Sequence, residues 1–124
     1  MNGLLGAGFG AEKPWIAEAI AALAGEQHAS GGWGGARAVE PSLEETGVAL
    51  KALAQSSSDE PAVQEAIQRG TAWLVDVTAN GTRFPGAPIG LYFARLWYHE
   101  NLYPVIWTLG ALKAVRARLS RFSK

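Results

Sequence analysis

Apolar residues recur at helical spacing along most of this chain, and nowhere do they alternate with polar ones for long enough to build a sheet. Trp15, Ile16, Ala19, Ile20 and Leu23 share one face of a segment opened by Pro14 and ending near Gly25. Proline suits a first helical turn because its missing N–H has no intrahelical partner there. A glycine-dense loop follows, from Gln27 to about Pro41. Ser42-Leu43-Glu44-Glu45 has the spacing of a capping box, predicting a helix to about Gln55 with Leu43, Val48, Leu50 and Leu53 as its apolar residues. Asp59 reads as the cap of the next helix, with Pro61 in its first turn. That helix runs to about Val77 and buries Val63, Ala66, Ile67, Gly70, Trp73 and Leu74. Ile89 to about His99 is apolar on several faces and predicts a short, deeply buried helix. Pro104 opens a last helix carrying Val105, Ile106, Leu109, Leu112, Val115 and Leu119.

The fold class that follows is all-α, in antiparallel helical hairpins. A flexible leader over 1–12 is expected to precede one structured unit over 13–124. A weak repeat strengthens the hairpin reading: an Ala- and Leu-rich helix and then a glycine-aromatic turn occur around 15–33 and again around 61–84. Hairpin repeats bury a continuous core only by stacking on neighbours, so a short array leaves apolar ends uncovered.

At 124 residues the chain fits one domain, and its 48% hydrophobic and 18% charged residues are a globular balance. Eleven basic residues offset eleven acidic ones, so no long-range field points to nucleic acid. The charges are nevertheless segregated. No acid follows Glu100, while Lys113, Arg116, Arg118, Arg121 and Lys124 crowd the end. Cations at a helix C-terminus offset its macrodipole, and contact with lipid headgroups or a partner is the other reading. There is no cysteine, hence no thiolate metal site. No apolar run approaches the ~20 residues of a membrane span, and the first residues lack the pattern of a signal peptide. A cytoplasmic protein is expected, with peripheral contact at the inner membrane left open.

One motif is more specific. Gln27-His28-Ala29-Ser30-Gly31-Gly32-Trp33 places a glutamine, a glycine and a tryptophan at fixed spacing after an apolar helix. Glutamine can bond the loop that follows it, glycine permits a sharp turn, and an indole covers apolar surface while its N–H finds an acceptor. A second, degraded copy begins Arg69-Gly70-Thr71-Ala72-Trp73-Leu74, then has Thr78 and Phe84 where glutamine and tryptophan would stand. Gly81-Thr82-Arg83-Phe84-Pro85-Gly86 comes next, followed by Leu91-Tyr92-Phe93-Ala94-Arg95-Leu96-Trp97-Tyr98, then Tyr103-Pro104 and Leu109-Gly110.

In order and spacing these segments resemble the C-terminal part of squalene–hopene-type triterpene cyclases, over roughly residues 15–118. The first motif resembles that family's QW motif, a structural staple. The resemblance implies part of an (α/α)₆ toroid, with Gln27, Gly31, Trp33, Arg69, Gly70 and Trp73 as staple residues. It implies a dry cavity for a squalene-like isoprenoid, and Phe84 matches a cavity phenylalanine of a G-T-G-F-P segment in which Arg83 replaces a glycine. Tyr92, Trp97 and Tyr98 are further cavity candidates, with ordinary helical packing as the alternative for Tyr92 and Trp97.

Cyclases of this class protonate an alkene or epoxide with a carboxylic acid held neutral, then guide a carbocation past aromatic faces. The family's Asp-rich donor segment lies upstream of the part matched. Here Asp59 and Asp76 are the aspartates, far apart in sequence, and an exposed aspartate with a pKa of about 4 is ionised at pH 7. No catalytic residue, metal ligand or cofactor is therefore expected. The reading is a barrel-wall segment that needs an Asp-rich partner chain or further copies. A non-catalytic α/α module binding an apolar isoprenoid or a protein is the alternative. Gly6-Ala7-Gly8-Phe9-Gly10 lacks the preceding strand and third glycine of a dinucleotide loop, and His28 and His99 have no metal-ligand spacing around them.

Overall fold

Ser42 begins the helix around which the rest is arranged. Its Oγ accepts from the Glu45 N–H at 3.1 Å and starts α3 (Leu43–Gln55). Glu45 does not reach back to the Ser42 N–H, as a full capping box requires. That N–H donates to the Trp33 carbonyl at 3.2 Å, and the Glu45 carboxylate accepts from the Ser42 hydroxyl at 2.8 Å instead. The structure, a computed structural model, describes residues 1–90 and 96–122. Among them α1 (Asn2–Gly6), α2 (Pro14–Gly25), α4 (Pro61–Val77) and α5 (Tyr103–Phe122) all pack against α3. Eight of the thirteen residues of α3 are buried. Ile16 and Ile20 of α2, Leu43, Leu50 and Leu53 of α3, Val63, Ile67 and Leu74 of α4, and Ala111 and Val115 of α5 form one core.

The all-α expectation holds in its coarse form, and the bounds of α2, α3 and α4 fall where the caps and prolines put them. Three features differ. Segment 1–12, expected as a flexible leader, contains α1, whose Asn2 Nδ2 donates to the Val48 carbonyl at 3.1 Å. Glu60 rather than Asp59 is the residue that enters α4, and the 75% exposed Asp59 side chain stands 3.8 Å from Arg118. The short buried helix expected over 89–99 is not what its described residues form. Ile89–Gly90 (β1) pairs antiparallel with Trp97–Tyr98 (β2). Tryptophan and tyrosine fit an extended pleat as well as they fit a helix. No second layer covers this pair among the described residues, and Trp97 is 72% exposed.

The last helix is turned relative to its hydrophobic pattern. Pro104, Thr108, Ala111, Val115 and Arg118 are its buried residues, while Ile106, Leu109 and Leu119 are 54%, 58% and 63% exposed. The reason lies in α3. Gly47 has no side chain, and a Cβ placed there would stand 2.8 Å from the carbonyl carbon and oxygen of Trp107. The two backbones come this close only through their small faces, so α5 turns threonine and alanine inward and leaves its large aliphatics outside. The far end of the contact is fixed by Arg118, whose guanidinium donates to the carbonyls of Ser56, at 2.6 Å, and Ser58.

Candidate functional site

The glutamine-to-tryptophan loop is a densely bonded irregular segment. It begins where α2 ends, and its conformation is set by hydrogen bonds that run in three directions. Within the loop, the His28 N–H donates to Gly32 O and the Gly31 N–H to His28 O, both at 2.9 Å. The φ of +106° at Gly31 is a left-handed value that other residues adopt only at a cost. Toward α4, Gln27 Nε2 donates to Gly31 O at 2.7 Å and to Ala66 O at 2.9 Å. Arg69 answers from α4, its Nη2 reaching His28 O at 3.1 Å and Ala29 O at 2.8 Å. Toward α2 and α3, Trp33 Nε1 donates to Leu23 O at 2.8 Å, and the Trp33 N–H donates to Thr46 Oγ1 at 2.8 Å.

Sterics complete the unit. A Cβ on Gly70 would lie 2.6 Å from the Trp33 ring, and one on Gly32 would lie 2.8 Å from the Trp73 ring. All six residues expected as a staple, Gln27, Gly31, Trp33, Arg69, Gly70 and Trp73, thus meet where the loop lies on α4. The second copy does not act as an equivalent staple. Thr78, standing where glutamine would, turns back on its own helix: its Oγ1 donates to Leu74 O at 2.6 Å and accepts from the Gly81 N–H at 3.2 Å. Threonine is too short to leave its own turn.

The described cavity candidates differ in burial. Phe84 is half-buried and packs against the core. Trp97 and Tyr98 are exposed, and Tyr92 lies outside the described residues. A different recess is present at the start of α3, an open cleft of about 410 Å³ whose lining includes Leu23, Trp33, Glu44, Val48 and Trp107. Glu44 Oε1 accepts from the Ala87 N–H at 3.1 Å and ties the 84–88 loop to α3, while its Oε2 is buried without a hydrogen bond. Neither Trp107 nor Glu44 stands out in the sequence. Trp107 falls between the aliphatic positions of α5, and Glu44 reads as an ordinary first-turn acid.

Among the described residues no three of the His, Cys, Asp and Glu side chains are grouped to hold a metal ion, and no helix is long and apolar enough to cross a membrane. Burial holds the Arg118 guanidinium below its usual pKa, neighbouring Arg121 pushes in the same direction, and Asp59 opposes both. Comparison with known protein families, with curated proteins and with solved structures finds no match.

Proposed function

We propose that this chain is a C-terminal wall segment of a squalene–hopene-type cyclase, part of an (α/α)₆ toroid whose proton donor is carried elsewhere. The observation that carries the reading is the junction of Gln27, Trp33, Arg69 and Gly70. It joins an inter-helix loop to α4 through two side chains and one glycine-to-indole contact. This is the work a QW motif does in the family that the sequence resembles. In this reading Phe84, Tyr92, Trp97 and Tyr98 face the isoprenoid once the remaining helices stand around them, and an Asp-rich chain supplies the acid. The segment is cytoplasmic, with its basic end available to the inner membrane.

The test uses the purified chain and squalene dispersed in detergent, with products read by gas chromatography and mass spectrometry. No cyclised product is expected from the chain alone. A tagged copy recovered from the cells that make it is expected to bring an Asp-rich α/α chain with it. Turnover by the isolated chain would defeat the proposal.

The cleft beside α3 favours a second reading, a non-catalytic module that binds an apolar isoprenoid between Trp33 and Trp107. Saturable quenching of tryptophan fluorescence by a soluble prenyl alcohol, lost in Trp107→Ala, would favour it.

A further inference from the structure

The inward turn of small residues on α5 leaves a row of large ones facing outward. Leu102, Ile106 and Leu109 follow one another at spacings of four and three, so they form a single stripe along the N-terminal half of the helix. They are 62%, 54% and 58% exposed. Continued along the same line, the stripe changes character and becomes Lys113 and Arg116, both exposed. Just before the helix stands Glu100, the last acid of the chain. The outer surface of α5 is therefore apolar in its middle, acidic at its entry and basic toward its exit.

That order is self-complementary under a twofold rotation. We infer that a second copy of this chain covers the stripe, its α5 lying antiparallel on the first with the symmetry axis between Ile106 and Leu109. In this register Ile106 of one copy packs on Leu109 of the other. Leu102 lies against the aliphatic stem of the other copy's Lys113, which keeps its ammonium in water. Glu100 falls between the other copy's Lys113 and Arg116. A parallel arrangement would instead set each basic end against its like. The antiparallel one pairs unlike charges twice and opposes the two helix dipoles.

The apolar stripe makes up about half of the area that such a dimer takes from each partner, with Glu100, Lys113 and Arg116 at its rim. Tyr103, three residues before Ile106 on the same helix, is 40% exposed. With the three stripe residues it presents roughly 430 Å² of mainly apolar surface, taking about 200 Å² for each residue. A stable interface takes about 800 Å² from each partner.

This goes beyond the wall-segment reading and fails separately from it, because its readout is mass and not turnover. Sedimentation equilibrium of the full chain at micromolar concentrations is expected to give twice the 13.1 kDa chain mass. Leu109→Glu should weaken the dimer at least tenfold with an unchanged helical circular dichroism spectrum, since the side chain is exposed. Glu100→Lys should weaken it several-fold. Adding Lys113→Glu and Arg116→Glu to Glu100→Lys should restore it, because the charge pattern is then reversed on both sides. A chain that is monomeric at 100 µM, a dimer indifferent to Leu109→Glu, or a charge reversal without rescue would each overturn the inference. A monomer whose stripe is shielded only on anionic vesicles, or only by an Asp-rich chain, would overturn it as well.

Discussion

Gly70 lies directly beneath the indole of Trp33, with only 2.6 Å between a methyl group built on the glycine and the ring carbon Cζ3. The contact locks a helix to a loop that left α2 more than thirty residues earlier in the chain. Alanine at this position gains helix propensity worth about 1 kcal/mol but must displace a ring that is 2% exposed. Overpacking of this kind costs about 1–3 kcal/mol. Gly70→Ala is expected to lower stability by up to about 2 kcal/mol in urea unfolding. A stabilised Gly70→Ala chain would mean that the ring is free to slide.

Gly47 presents a harder obstacle. The atoms that a new methyl would meet belong to the Trp107 backbone, which cannot rotate away as a side chain can. Gly47→Ala should therefore cost more than Gly70→Ala, about 3 kcal/mol, and should separate α3 from α5. Loss of near-ultraviolet ellipticity with retained far-ultraviolet signal would report that separation.

Gln27 supplies two hydrogen bonds from one amide, to Gly31 O on the loop and Ala66 O on α4. Removing both leaves two carbonyls to find new donors, at about 1 kcal/mol each. Gln27→Ala is expected to cost about 2 kcal/mol by urea titration, and Gln27→Glu nearly as much, because a carboxylate cannot donate to either carbonyl. A Gln27→Glu chain as stable as the parent would show that the amide is dispensable.

Arg118 gives a prediction about pH. Its pKa is lowered in the fold, so the unfolded chain holds this proton to higher pH, and stability rises with pH only in a strongly alkaline window. Between pH 5 and 9 both states hold the proton and the contribution is flat. Arg118→Met removes the donors to Ser56 O and Ser58 O and should cost about 2–3 kcal/mol, equally at pH 5, 7 and 9. Asp59→Asn should be nearly neutral, because the Asp59 carboxylate is 75% exposed and 3.8 Å from its partner. Urea midpoints at the three pH values check both statements.

Local chemistry is what the sequence announces clearly. Pro14, Ser42 and Pro61 each mark a helix start, because a missing N–H or a side-chain acceptor acts within a turn of where it stands. The glutamine-to-tryptophan loop is legible for the same reason, down to the indole N–H that needs an acceptor. The face of α5 is not. Its periodicity nominates Ile106, Leu109 and Leu119 for the interior, yet the interior takes Thr108 and Ala111, because Gly47 on a distant helix sets how near α5 must come. Nothing within α5 encodes that distance. The segment from Ile89 to His99 misleads differently. Its aromatic pattern points inward, and Trp97 and Tyr98 instead border solvent on an extended pair. The cleft lined by Trp33, Glu44 and Trp107, by contrast, is formed without a sequence signature.

Because α1, α2, α4 and α5 each lean on α3, no hairpin among the described residues owns an interior of its own. Such wiring leaves little room for partial opening: the amides in the middle of α3 can reach solvent only when every neighbour has let go. Deuterium should enter Leu50 and Leu53 last, at a rate set by unfolding of the whole chain, and trimming any one of the surrounding helices should loosen all the others together.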